Sequence, residues 1–297
     1  MNAVVCSFVR RSLLGAVLVF GAASAAGAAE DGDVFADPSR IASIGGSLTE
    51  IIYALGQQEH LVARDSTSLY PQDALKLPDV GYMRQLSPEG VLSVNPSGIL
   101  ALQGSGPKEA VEVLKKASLP YVEVPETFDH EGILAKIRAV GKAFGVDDRA
   151  AALATEVDAR LKAAEQLTAA VKQRKRVLFI LSMQGGKILA SGGDTAADGI
   201  VKLAGGVNAV EGFAGYKQLS DEAAVTAAPD VILMMDHAGP AISDEELFAN
   251  AAISQTPAGA TRKVIRMDGG YLLGFGPRTA DAIHDLAVAL YGADLGQ

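Results

Sequence analysis

The sequence predicts an α/β protein of two similar lobes with parallel-type sheets, joined by one long helix. Three observations lead there. Apolar strand-like runs alternate with helical patterns along the chain, the signature of layered α/β folds. A stretch near the middle has a strongly helical composition with neither glycine nor proline. A short motif of capping serine, acid, proline and strand occurs once in each half.

Residues 1–29 read as a leader rather than part of the fold. Arg10 and Arg11 form a positive segment, and Leu13 to Ala23 is an apolar run too short for a permanent membrane helix. Ala26-Gly27-Ala28 and Gly27-Ala28-Ala29 offer small residues for cleavage near Ala28 or Ala29, which implies export to the periplasm. The single cysteine, Cys6, precedes the apolar run, so the processed chain has no disulfide, thiolate ligand or thiol nucleophile. The net charge of −9 becomes more negative once the leader's two arginines are gone. That argues against nucleic acid and anionic membrane as partners, since both require a basic face.

The N-terminal lobe is expected over 30–145. Arg40 to Ile44 is its first strand, Gly45-Gly46 a turn, and Ser47 to Glu50 a capping box opening a helix that stops at Gly56. Leu61 to Ala63 is a second strand. The long polar connection from Asp65 to Arg84 has a length usual for functional loops. Strand Ile99 to Leu102, helix Pro107 to Ala117, strand Tyr121 to Val124 and helix Glu131 to Phe144 follow. The connecting helix is expected over 146–173, from Asp147 to about Lys172; on periodicity alone it is either a rigid strut between two α/β halves or an ordinary surface helix on one larger domain. The C-terminal lobe, 174–297, repeats the scheme: strand Val177 to Leu181, strand Lys187 to Ala190, helix Ala196 to Leu203, a helix from Ser220 to Ala227 and strand Val231 to Met235. Helix Glu245 to Ala249, strand Lys263 to Met267 and helix Thr279 to Tyr291 complete it.

The stretch from Asp79 to Glu89 is the most informative. Ser87 reads as an N-cap with Pro88 at the first helical position. Tyr82 sits on the loop before it, with Arg84 two residues on, and a nearby cation favours the anionic form of a phenol. A phenolate is a hard oxygen donor for ferric iron, and tyrosine serves as an axial haem ligand. On the loop alone, a half-buried tyrosine packed on a helix stands beside that reading. The second half echoes the motif: Gln85-Leu86-Ser87-Pro88-Glu89 leads to Pro96, and Gln218-Leu219-Ser220-Asp221-Glu222 leads to Pro229 at the same spacing. Glu89 and Glu222 thus occupy equivalent first-turn positions, either as helix-stabilising acids or as matched sites for a two-fold partner.

With these motifs in place, the chain resembles the haem-binding periplasmic proteins of bacterial ABC haem importers, within the wider group of vitamin B12- and siderophore-type carriers with a helical backbone. The segments carrying the resemblance are Leu77-Pro78-Asp79-Val80-Gly81-Tyr82-Met83-Arg84 and Tyr271-Leu272-Leu273-Gly274-Phe275-Gly276-Pro277-Arg278. The resemblance implies haem, as transported ligand, in the cleft between the lobes, with Tyr82 on the iron. It also implies that Glu89 and Glu222 dock on arginines of an inner-membrane permease dimer. An outer-membrane haem receptor would act upstream, and the carrier itself would be a monomer. Some relatives place a histidine for a second, stacked haem where this chain has Met183-Gln184, and often an arginine where it has Asp236-His237-Ala238-Gly239. His237 is then the nearest polar candidate for the phenolate or the iron's opposite face, or else a solvent-exposed loop histidine.

A haem pocket should be apolar with few directed polar groups. Met83, Met183, Met234 and Met235 are candidate contacts, because methionine adapts to flat surfaces. Arg84 is a candidate for Tyr82 or a propionate, with Arg64, Lys217 and Arg278 behind it. Gly45-Gly46-Ser47 could receive an anion at a helix start, or form a tight structural turn. Neither a dinucleotide fingerprint, a P-loop nor a nucleophile elbow occurs, and His60, His130, His237 and His284 lack zinc-site spacing. The reading is therefore of a carrier and not an enzyme. A corrinoid or ferric-siderophore carrier of the same architecture, and less readily an exported α/β enzyme, are the alternatives.

Overall fold

In the computed structural model, which describes Met1, residues 34–236 and 242–292, and Leu295, each buried parallel strand is one of the apolar runs seen in the sequence. The first lobe holds β1 (Ile41–Ile44), α1 (Gly46–Ala54), β2 (Leu61–Arg64), α2 (Pro88–Leu92), β3 (Gly98–Leu102), α3 (Lys108–Lys116), β4 (Tyr121–Val124) and α4 (His130–Ala143). Its strands pair in parallel in the order β2-β1-β3-β4. Parallel strands are covered on both faces, which is why β1 and β3 are buried at every position.

Helix α5 (Asp147–Gln166) then carries the chain to the second sheet. At about 1.5 Å per residue its 20 residues span roughly 30 Å. It is shorter than the sequence suggests. Thr168 hydrogen-bonds the Glu165 carbonyl instead of extending the helix, and the chain turns there beside Gly205.

The second lobe contains β5 (Arg176–Gln184), β6 (Lys187–Ser191), α6 (Ala196–Leu203), β7 (Val207–Asn208), β8 (Tyr216–Leu219), α7 (Asp221–Ala227) and β9 (Val231–Asp236). It closes with α8 (Asp244–Ala249), α9 (Pro257–Thr261), β10 (Val264–Asp268), α10 (Gly269–Leu273) and α11 (Thr279–Tyr291). Its main path runs β10-β9-β5-β6-β8, with β7 beside β5. The fold class is as expected, but this sheet is mixed: β5-β6 and β6-β8 are antiparallel. The Gly185-Gly186 turn makes a hairpin, with both glycines at positive φ, a conformation available to them without steric cost.

Two apolar cores result. One runs from the first lobe through α4, α5 and α11 to the inner face of the second sheet, where it includes Val177, Phe179 and Leu233. The other covers that sheet's outer face, with Leu178, Ile180, Ile232 and Met234. The alternation along β5 and β9 therefore sets which side chains look toward the first lobe.

The expected capping box at Ser47 is absent. Gly45 is the N-cap of α1 and no side chain caps it; Ser47 and Glu50 are buried residues of the helix itself.

Candidate functional site

In open α/β sheets, ligands lie beyond the carboxyl ends of the strands, and the loop after β2 leaves from such an end. It is tied down by polar groups that the sequence alone does not reveal. Asp65, fully buried, accepts hydrogen bonds from the Gly45 N–H at 3.0 Å and from Thr67 and Ser68. The Gly46 N–H goes to Thr67 Oγ1 at 2.9 Å. These first N–H groups of α1 are occupied by the protein's own carboxylate and hydroxyl, so Gly45-Gly46-Ser47 is a structural turn.

Asp79 organises the next segment. It accepts from Arg64 Nη1 at 3.0 Å, Ser66 Oγ at 2.9 Å and the Gly81 N–H at 2.9 Å. Burial works against its charge, but these three donors outweigh that and hold the carboxyl below the usual range. Gly81 has φ +101°, a region closed to ordinary side chains, although a Cβ there would meet nothing within 4 Å. The conformation, not space, demands glycine. On either side of the exposed positions, Val80, Met83 and Leu86 are buried, and the Gly106 N–H donates to the Met83 carbonyl. Between these anchors Tyr82 is 42% exposed. Arg84 is exposed and, among the described residues, has neither an ion pair nor a hydrogen bond.

The second lobe answers with Tyr216 on the edge strand β8. Its ring meets Phe179 edge-on, centroids 6.4 Å apart. Burial pushes its phenol up, while the hydroxyls of Thr195 and Ser191 and the charge of Arg84 pull the other way. Tyr82 also acts on it electrostatically. Arg84 further acts on Glu126, whose carboxyl is pushed up by burial against the pull of Lys136. Arg84 therefore stands in the field of groups from both lobes.

A buried polar network ties the lobes. Lys136, 1% exposed, donates from Nζ to Glu126 Oε1 at 2.6 Å, Ser47 Oγ at 3.2 Å and the Phe275 carbonyl at 3.1 Å. Glu50 Oε2 accepts from Arg278 Nε at 2.9 Å, and Oε1 from the Arg278 N–H at 2.9 Å. The Arg278 guanidinium lies 3.6 Å from the Tyr70 ring centroid and 5.5 Å from that of Tyr271. Expected as a ligand contact, Arg278 is engaged instead as a clasp between lobes. Gly276 permits it, since a Cβ there would press on Glu50.

The remaining expectations separate by face. Met83 and Met183 are core groups, each 7% exposed, and Met183 belongs to the outer core of the second sheet, away from the first lobe. Met234 lies in that outer core as well, whereas Met235 is partly buried on the inner side. Lys217 sits over the Phe213 ring. Arg64 is buried and braces Asp79. Glu89 and Glu222 are exposed in the first turns of α2 and α7, whose caps match: Ser87 Oγ accepts from the Gly90 N–H and Ser220 Oγ from that of Ala223. His130 is held between Asp158 and Glu165. His237 and residues 2–29, Cys6 included, lie outside the described residues. Among the described residues no three His, Cys, Asp or Glu side chains gather as a metal site, and no helix is long and apolar enough to cross a membrane. Neither Tyr216, which follows Gly215 in a short stretch without strand-like alternation, nor the Glu50–Arg278 clasp, which is non-local, carries a local signal in the sequence.

Two sheets joined by α5, with an exposed tyrosine on the loop beyond the carboxyl end of β2, define a solute-binding architecture. The family model for the periplasmic binding protein matches residues 41–271, and the chain belongs to this family of substrate-binding proteins, which are not enzymes. It is similar to the periplasmic heme-binding protein BhuT, solved with two hemes, at 40% identity and TM-score 0.80, covering 84% of this chain and 97% of that one. It is also similar to the periplasmic heme-binding protein RhuT of Roseiflexus sp. RS-1 in apo form, at 36% identity and TM-score 0.81, over 86% and 99% of the two chains. Among curated relatives, an uncharacterized ABC transporter substrate-binding lipoprotein, YvrC of Bacillus subtilis, is 26% identical over 88% of this chain and 83% of its own length. A vitamin B12-binding protein of Vibrio parahaemolyticus is 24% identical over 82% and 86%.

Proposed function

We propose that this protein is a periplasmic haem carrier that binds haem between its lobes through Tyr82 and delivers it to an inner-membrane ABC importer. The observation that carries the reading is the presentation of Tyr82: an exposed phenol on a loop braced by Asp79, Gly81 and buried neighbours. Arg84 stands two residues away, without an ion pair among the described residues, in reach of an anionic propionate. Met235 supplies an apolar contact from the second sheet. The likeness to BhuT and RhuT supports haem over other solutes. In this reading the chain is made with a cleavable leader at 1–29, acts as a monomer downstream of an outer-membrane receptor, and keeps Glu50–Arg278 and Lys136–Phe275 as ties between lobes at 30–145 and 174–297.

The vitamin B12-binding relatives motivate the competing ligand. Calorimetric titration of the processed protein with haem, cobalamin and a ferric siderophore separates the cases. Tight binding of haem alone is expected; cobalamin or siderophore binding without haem binding would overturn the assignment.

Docking on the permease is proposed to use Glu89 and Glu222, one exposed acid per lobe on matched helix starts. Glu89→Ala with Glu222→Ala should leave haem affinity unchanged and reduce stimulation of the importer's ATPase in reconstituted vesicles. Undiminished stimulation would remove both acids from the docking surface.

A further inference from the structure

We propose that Tyr216 is the second lobe's contribution to the ligand site, its ring forming the wall against which a flat aromatic ligand lies opposite Tyr82. This rests on the haem-carrier reading and adds a residue to it.

The argument begins with the sheet. Phe179 belongs to the core shared with the first lobe, so its face of β5 is the inner one; Leu178, Ile180 and Met183 occupy the other. The Tyr216 ring contacts Phe179 at an interplanar angle of 61°, which puts it on the inner face as well. β8 is the edge of its sheet, with Tyr216 opposite Ser191 of β6. Among the described residues no strand covers the ring from the far side, and Tyr216 remains 36% exposed. Tyr82 and Arg84 of the first lobe act electrostatically on its phenol.

The oxygen end has a different environment from the ring. The hydroxyls of Thr195 and Ser191 act on the phenol, against the effect of burial. Those hydroxyls lie 2.5 Å from each other and both residues are buried, at 4% and 0% exposure. Thr195 also caps α6, accepting from the Asp198 N–H at 3.0 Å, so the pair is fixed by a helix start. With its phenol end beside these buried hydroxyls and its ring against Phe179, the part of Tyr216 left for a ligand is the open side of the ring. Such a ring is already ordered, so covering it costs little conformational freedom. On the first lobe, Leu69, Tyr70 and Tyr82 expose apolar surface from the loop after β2. Exposed aromatics on both walls suit a planar, aromatic solute better than a small polar one.

The test compares wild type with Tyr216→Ala, Tyr216→Leu and Tyr216→Phe by absorbance titration with haem, with urea unfolding of each variant alongside. Tyr216→Leu keeps apolar bulk on β8, so it reports on the site even where Tyr216→Ala does not fold. The expected result is roughly tenfold weaker binding for the Ala and Leu variants, with the ferric spectrum of the bound form unchanged. Tyr216→Phe should bind like wild type, because the ring is kept. Wild-type affinity in the folded Leu or Ala variant overturns the proposal. So does a changed ferric spectrum in Tyr216→Phe, which would make the oxygen an iron ligand. If wild type takes up no haem but binds cobalamin, the haem reading falls first, and the same variants titrated with cobalamin decide whether Tyr216 is part of the site.

Discussion

Tyr82 is held in place by its neighbours. Arg64 and Ser66 hold Asp79, Asp79 holds the Gly81 N–H, and Gly81 supplies the positive φ that turns the next side chain outward. Asp79 therefore acts on the ligand at one remove. Because its folded carboxyl is held below the ordinary value, its stabilisation is present above about pH 4, where the unfolded carboxyl is also charged, and is lost as pH falls through the folded value. Asp79→Asn is expected to weaken haem binding at pH 7 and to speed hydrogen exchange at Gly81 and Tyr82, with wild type approaching that behaviour in strong acid. Unchanged exchange in the variant would show that the loop is held elsewhere. The tyrosine and arginine were legible in the sequence because they lie two residues apart on one loop. The groups that aim them were less so: Asp65 and Asp79 each draw partners from separate stretches of chain, and no local pattern marks either carboxylate as a hub of hydrogen bonds.

At the level of elements, the buried parallel strands were readable because both faces are covered, which leaves short apolar runs bounded by turns. β8 was not, since an edge strand reading Tyr-Lys-Gln-Leu carries no such run. α10 escaped for a related reason: it opens on Gly269-Gly270, and its start depends on Asp268 accepting from the Tyr271 N–H at 2.8 Å. The middle of the chain offers a test of its own. His130, at the start of α4, joins α5 through Glu165 at 2.7 Å and Asp158 at 2.8 Å, while Lys162 pairs with Asp158. Burial opposes the imidazolium, but the two carboxylates prevail and raise its folded value. A raised value gives stability that is complete below about pH 6.5 and fades as pH climbs through the folded value. His130→Gln should therefore lower the urea midpoint at pH 5.5 and have a smaller effect at pH 9. An equal loss at both would assign the residue a purely steric role.

For the molecule as a whole, the sequence indicated two lobes and a connecting helix, and the structure adds what restrains them. Glu50 and Arg278 are far apart in sequence yet form a two-point clasp, and Lys136 bonds groups of both lobes from a buried position. With α5 and this network acting together, the cleft is largely pre-formed, and haem should enter without wide closure. X-ray scattering with and without haem is expected to give the same radius of gyration for wild type, and a larger one for haem-free Glu50→Gln. That variant should also release haem faster. A large contraction of wild type on haem binding would contradict this picture.

The most direct measurement of the central claim is the absorbance spectrum of ferric haem bound to the processed protein and to Tyr82→Ala. The account predicts a high-spin ferric spectrum with a phenolate-to-iron charge-transfer band in wild type, lost in Tyr82→Ala together with most of the affinity. A variant that binds haem as tightly as wild type, with the same band, would contradict it.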